Sequence, residues 1–189
     1  TPTDPNYLPS ETTTTITVIA DINPLATPIV TPSNTPAAKP ITNTTSGAKT
    51  TILSIGSGLS SAATSGTQVS VLPISTFSGK TSVKVAVTDE GETKEVVVPV
   101  TVLPLPAVAP VATPNTKGQS TINWKPSVNA IQYEVTLAGK TICTTNATSC
   151  STNAVIGPKS EVIVIAKGND ETVSPVAPAK YTAPKKPVT

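Results

Sequence analysis

Apolar and polar residues alternate with a period of two along much of this chain, most clearly between residues 82 and 102. Val83, Val85 and Val87 alternate with Ser82, Lys84, Ala86 and Thr88, and Val96, Val98, Val100 and Val102 follow the polar run Asp89-Glu90-Gly91-Glu92. Period two puts every second side chain on one face of a strand. The polar run with its glycine predicts a turn, so the whole predicts a β-hairpin. Pro99 lies on the other face and cannot donate to a ladder, which predicts an open or bulged edge there. Thr50 to Ile55 and Gln68 to Leu72 read as further strands, and the Gly- and Ser-rich stretch 56–66 between them reads as a loop. No window carries the i, i+3, i+4 spacing of an amphipathic helix, so the chain reads as all-β.

A phrase of this kind occurs twice. Ile16, Val18 and Ala20 alternate with Thr in residues 11–22, much as the valines do in residues 92–103, and Pro-rich apolar text follows both. The spacing is about 80 residues, which predicts tandem β-domains. Residues 1–22 are then either the last strand of a preceding repeat or the N-terminal strand of the next domain. Pro24, Pro28, Pro32, Pro36 and Pro40 mark an edge strand or an extended connector. Pro104, Pro106, Pro110 and Pro114 predict a stiff, extended interdomain hinge over 103–114 and an elongated arrangement. The expected layout is two tandem β-sandwich domains, 23–103 and 104–183, joined by the Pro-rich hinge, with 184–189 as a linker.

Composition supports this and removes several functions. Of 189 residues, 34 are Thr and 20 are Pro, both poor helix formers. The net charge is +2, and every one of the 13 basic residues is a scattered Lys. Nucleic-acid binding needs clustered cations and favours Arg, so it is set aside. There is no His, which removes the usual near-neutral acid–base group and the commonest metal ligand. No apolar run approaches the ~20 residues of a membrane helix. The absence of an initiator Met and of a signal peptide predicts a processed or excised piece of a longer chain.

The stretch 119–150 holds the single Trp124, both cysteines and Tyr133. Ser120 to Pro126 and Ala130 to Leu137 read as successive strands, with Trp124 and Tyr133 as core anchors. Cys143 and Cys150 read as a disulfide closing a hairpin, and hence as a sign of export. A thiol nucleophile or half a metal site are the competing readings, both weakened by the missing His. The chain-entropy expression gives such a ring about 2.5 kcal/mol. The first domain has no such staple and is expected to be the less stable.

From Pro104 to about Ala183 the landmarks resemble the fibronectin type III family. The Trp-bearing strand Ser120 to Pro126 matches that family's second strand, and Ala130 to Val135 its third. Ala154-Val-Ile156-Gly-Pro158 matches the turn before the sixth strand, Val162 to Ala166 that strand, and Ser174 to Tyr181 the last. A cysteine pair is familiar in exported bacterial versions, including actinobacterial ones. The resemblance implies an immunoglobulin-like sandwich, preceded here by a bacterial immunoglobulin-like domain, and no particular activity.

Candidate chemistry is sparse. Asp89, Glu90 and Glu92, and separately Asp170 and Glu171, read as solvated turns rather than cation sites. Lys49, Lys80 and Lys84 are candidates for Lys–Asn isopeptide bonds. Asn43-Thr-Thr45 and Asn146-Ala-Thr148 match the N-glycosylation pattern. No catalytic group, cofactor or metal ligand is assigned. The expected function is non-enzymatic: a spacer segment of a longer extracellular bacterial surface protein, such as a stalk, fibre or adhesin repeat. Its expected partners are neighbouring domains of the same chain, surface glycans or other surface proteins, and strands of other copies at open sheet edges. The alternatives are a glycan- or protein-binding module, or accessory domains of an exported hydrolase or phage virion protein.

Overall fold

The computed structural model describes residues 21–114 and 118–183. The predicted strand over Ile16 to Ala20 and the linker 184–189 lie outside the described residues. Within them the chain is all-β, as two immunoglobulin-like sandwiches in tandem.

The first sandwich comprises β1 (Leu25–Ala26), β2 (Ile29–Pro32), β3 (Ala37–Thr42), β4 (Lys49–Ile55), β5 (Leu59–Ser65), β6 (Gln68–Pro73), β7 (Gly79–Asp89) and β8 (Glu92–Leu103). One sheet has the order β1-β3-β6-β5 and the other β2-β8-β7-β4. This is the constant-type immunoglobulin arrangement, with the first strand divided between the sheets. The predicted hairpin is β7–β8, paired from Gly79↔Val102 to Asp89↔Glu92. Its inward valines, Val83, Val85, Val87, Val98, Val100 and Val102, are buried with Ile29, Ile41, Val69 and Val71. Pro99 sits just before the stretch of β8 that β2 covers, Val100 to Leu103, so its missing donor faces no ladder.

The second sandwich comprises β9 (Val108–Pro114), β10 (Ser120–Lys125), β11 (Gln132–Leu137), β12 (Lys140–Thr145), β13 (Ser149–Thr152), β14 (Val162–Lys167), β15 (Ala177–Pro178) and β16 (Lys180–Tyr181). Its sheets run β13-β10-β9-β16 and β12-β11-β14-β15. Trp124 and Tyr133 meet edge to face, ring centroids 5.3 Å apart, inside a core of Ile122, Val135, Ile156, Val162, Val164 and Ala166.

Three expectations need correcting. The stretch 56–66 is not all loop: Leu59–Ser65 is β5, paired with β6. Its small Ser and Ala side chains carry little of the usual strand signal. The Pro-rich hinge shortens to residues 104–107, because Val108–Pro114 is β9. A register shift opposite Ala109 and Pro110 lets β9 keep its proline. The disulfide does not close a simple hairpin. β12 pairs with β11 and β13 with β10, so Cys143–Cys150 links the two sheets, with Cα atoms 6.3 Å apart.

Candidate functional site: the joint between the sandwiches

The polar groups with the most distant partners converge where the sandwiches meet. Asn129, in the loop between β10 and β11, is 7% exposed. The loop is held from within the second core: the Ser127 backbone N–H donates to the Tyr133 hydroxyl at 2.7 Å. A core aromatic thus sets the loop that carries Asn129 towards the first sandwich.

The Asn129 carboxamide reaches three segments. Its Nδ2 donates to the Phe77 carbonyl at 2.9 Å and to the Ser33 hydroxyl. Its Oδ1 accepts from the Leu105 N–H at 3.1 Å, which fixes the connecting segment. Its backbone carbonyl accepts from the Ser78 hydroxyl at 2.8 Å. Ser78, 1% exposed, also receives the Asn169 N–H at 3.3 Å, and its carbonyl accepts from Asn169 Nδ2 at 3.1 Å. At the rim, Asp170 Oδ2 accepts from the Lys80 N–H at 2.7 Å. Asp170 and the next residue, Glu171, hold left-handed backbones at φ 52° and 61°.

Two glycines permit this approach. A Cβ on Gly168 would fall 2.7 Å from Ser78 Cβ, and one on Gly79 would fall 2.8 Å from Asp170 Oδ2. Gly79 also needs φ 138°, which side chains rarely adopt. A buried polar cluster of this kind discriminates sharply between geometries, because each group left unpaired costs about 1–3 kcal/mol.

The residues singled out from sequence are placed as follows. Trp124 and Tyr133 are buried in the second core, and Cys143 and Cys150 are bonded to each other. Asp89 is not a solvated turn residue. It is 2% exposed, and its carboxylate accepts from the Thr45 N–H and hydroxyl, bracing the β7–β8 turn against the β3–β4 loop. Glu92 accepts from the Ile22 N–H at 3.4 Å, and Asp21 pairs with Lys94, so the first described residues lie against β8. Asp170 stays exposed in its turn, as expected, while its carboxylate also accepts a hydrogen bond across the joint. Lys84 pairs with Glu95 across the hairpin, and Lys80 meets the joint through its backbone. Asn43 and Asn146 are both on exposed loops.

Beside the joint lies an open groove of about 700 Å³ lined by Ile131, Gln132, Asn146, Lys167, Asp170 and Val173, among others. Lys167 forms a 2.6 Å ion pair with Glu134. That hydrogen bond and one from Thr141 hold the Glu134 carboxyl below its ordinary range. No group of three or more acidic or Cys side chains among the described residues is arranged to hold a metal ion.

Several solved structures align with the chain, each at low sequence identity. The CD2-binding domain of CD58 shares 7% identity over 83% of this chain and 98% of its own, with a TM-score of 0.45. Domains of titin share 11% identity over 81% of this chain and 60% of their own, with a TM-score of 0.36. Fibronectin(III)-like modules of CbhA from Clostridium thermocellum share 18% identity over 84% of this chain and 90% of their own, with a TM-score of 0.34. No family model matches the chain, and no curated protein does. Strand order defines the fold, and the fold by itself assigns no activity.

Proposed function

We propose that this chain is a non-enzymatic spacer segment of a longer extracellular surface protein, whose two sandwiches are set at a fixed angle to each other. The observation that carries this reading is the Asn129 network, in which one carboxamide ties together the first sandwich, the connecting segment and the second sandwich. The Pro-rich text restrains the four connecting residues, and the buried hydrogen bonds orient them. A stalk or fibre repeat has use for such a joint, because it passes direction from one domain to the next.

Small-angle scattering on the native chain and on Asn129→Ala tests it. The native chain is expected to fit a single interdomain arrangement, and the variant a broadened ensemble with both sandwiches still folded. A native profile that already demands a wide range of angles, unchanged in the variant, would remove the fixed-joint reading.

The groove lined by Gln132, Asn146 and Lys167 favours a second reading, a binding module for a glycan or protein segment. Loops on a rigid sandwich are common recognition sites. A glycan array probed with the native chain and with Gln132→Ala distinguishes this reading from a pure spacer.

A further inference from the structure

The two N-glycosylation patterns look equivalent in sequence and differ sharply in the fold. Asn43 has a left-handed backbone, φ 59°, and its Nδ2 is already donated to the Asn23 carbonyl at 2.7 Å. The hydroxyl of Thr45, two positions on, is committed to the buried Asp89 carboxylate. Modifying that site in the folded chain means breaking both bonds and exposing Asp89.

Asn146 stands differently. It opens the three-residue connection between β12 and β13, and it is exposed. Its Oδ1 is the atom engaged, accepting from Gln132 Nε2 at 3.4 Å, while its Nδ2 has no partner among the described residues. The Thr148 hydroxyl likewise has none there, and only the Thr148 carbonyl is tied down, by the Trp124 N–H at 3.1 Å. The disulfide three residues before Asn146 pins the base of this loop and leaves its apex presented. Ile131 and Val173, exposed by 56% and 47%, line the same groove as Asn146 and offer aliphatic cover to a first sugar.

We propose that Asn146, and not Asn43, is the acceptor for an N-linked glycan on the folded chain; this rests on the extracellular reading above. The donor is a lipid-linked oligosaccharide. Asn146 Nδ2 attacks the anomeric carbon, the C–N bond forms as the C–O bond to the lipid diphosphate breaks, the diphosphate leaves with the electron pair, and the amide proton passes to a base of the transferase. A glycan there would occupy the rim of the groove beside the joint.

The experiment incubates the purified, disulfide-intact chain with an oligosaccharyltransferase and lipid-linked oligosaccharide and reads the intact mass. One glycan per chain is expected for the native protein and for Asn43→Gln, none for Asn146→Gln or Thr148→Ala, and recovery with Thr148→Ser. A glycan on Asn43 overturns the proposal. So does an unmodified folded chain when a short peptide of the same Asn146 sequence accepts the glycan. Because transfer is measured in vitro, failure here is separable from failure of the extracellular reading, which surface labelling of the full-length protein decides.

Discussion

The two sandwiches solve the same closure problem with different chemistry. Each has two lateral sides where its sheets would otherwise end in open edges. On one side, a strand divides its pairing between both sheets. In the first sandwich this is the first strand, as β1 on β3 and β2 on β8. In the second it is the last strand, as β15 on β14 and β16 on β9. On the other side, a corner connection steps between sheets. In the second sandwich it is β12 to β13, closed covalently by Cys143–Cys150. In the first it is β4 to β5, closed by the Thr64 hydroxyl on the Thr50 carbonyl at 2.8 Å and the Thr50 N–H on the Gly66 carbonyl at 3.1 Å. The cores differ in parallel. One buries branched aliphatics, the other an aromatic pair. A seam can therefore be a bond that survives unfolding or hydrogen bonds that vanish with it, and only the first kind restrains the unfolded chain.

The sharpest way to break the comparison is Trp124→Ala. It is expected to cost the second sandwich about 3–5 kcal/mol, with the valine methyl signals of the first left dispersed in NMR spectra; loss of both sets together would mean that the cores are one cooperative unit. Next is the double change Cys143→Ser with Cys150→Ser, expected to remove about 2.5 kcal/mol from the second sandwich alone. In calorimetry the first sandwich of the native chain should melt first, and the gap between transitions should shrink in the double variant. Thr64→Val deletes a seam hydrogen bond in the first sandwich and is expected to cost it about 1 kcal/mol, seen as a lower denaturant midpoint for that transition only.

The smallest effect concerns acid. Glu134 titrates below its ordinary value of 4.5 in the fold. Its contribution is therefore present above the unfolded-state value and is lost as pH falls through the lower folded one. Partly exposed ion pairs of this kind contribute about 1 kcal/mol at most. Glu134→Gln should flatten the pH dependence of the second transition below about pH 4.5, and an unchanged slope would assign that dependence elsewhere.

Much of this fold was legible in the chain because period two survives wherever one face is buried. The β7–β8 hairpin and the aromatic pair followed directly from it. β5 was not legible, since Ser61, Ala62 and Ala63 pack too little apolar surface to show an alternation. The disulfide's partners were readable, but not its crossing between sheets, because which neighbour β12 chooses depends on β11 and β14. The joint was hidden altogether. Asn129 sits among Val128 and Ala130 with no motif around it, and its partners Phe77 and Ser33 are 52 and 96 positions away. Asp89 misled for a related reason: a carboxylate in a turn looks solvated until the loop that covers it is placed.

The divided strands have a mechanical meaning. In each sandwich the entering and leaving segments run side by side and parallel: β2 along β8 for four residue pairs, and β9 along β16 for two, extended by the Thr182 N–H on the Ala112 carbonyl at 2.9 Å. Parallel neighbours at the two ends of one domain send the chain out at opposite poles. Tension along the backbone then pulls the strands past each other, so the ladder's hydrogen bonds share the load instead of parting one at a time. The shorter ladder belongs to the sandwich with the disulfide, so the domain expected to withstand more heat has the weaker grip against pulling.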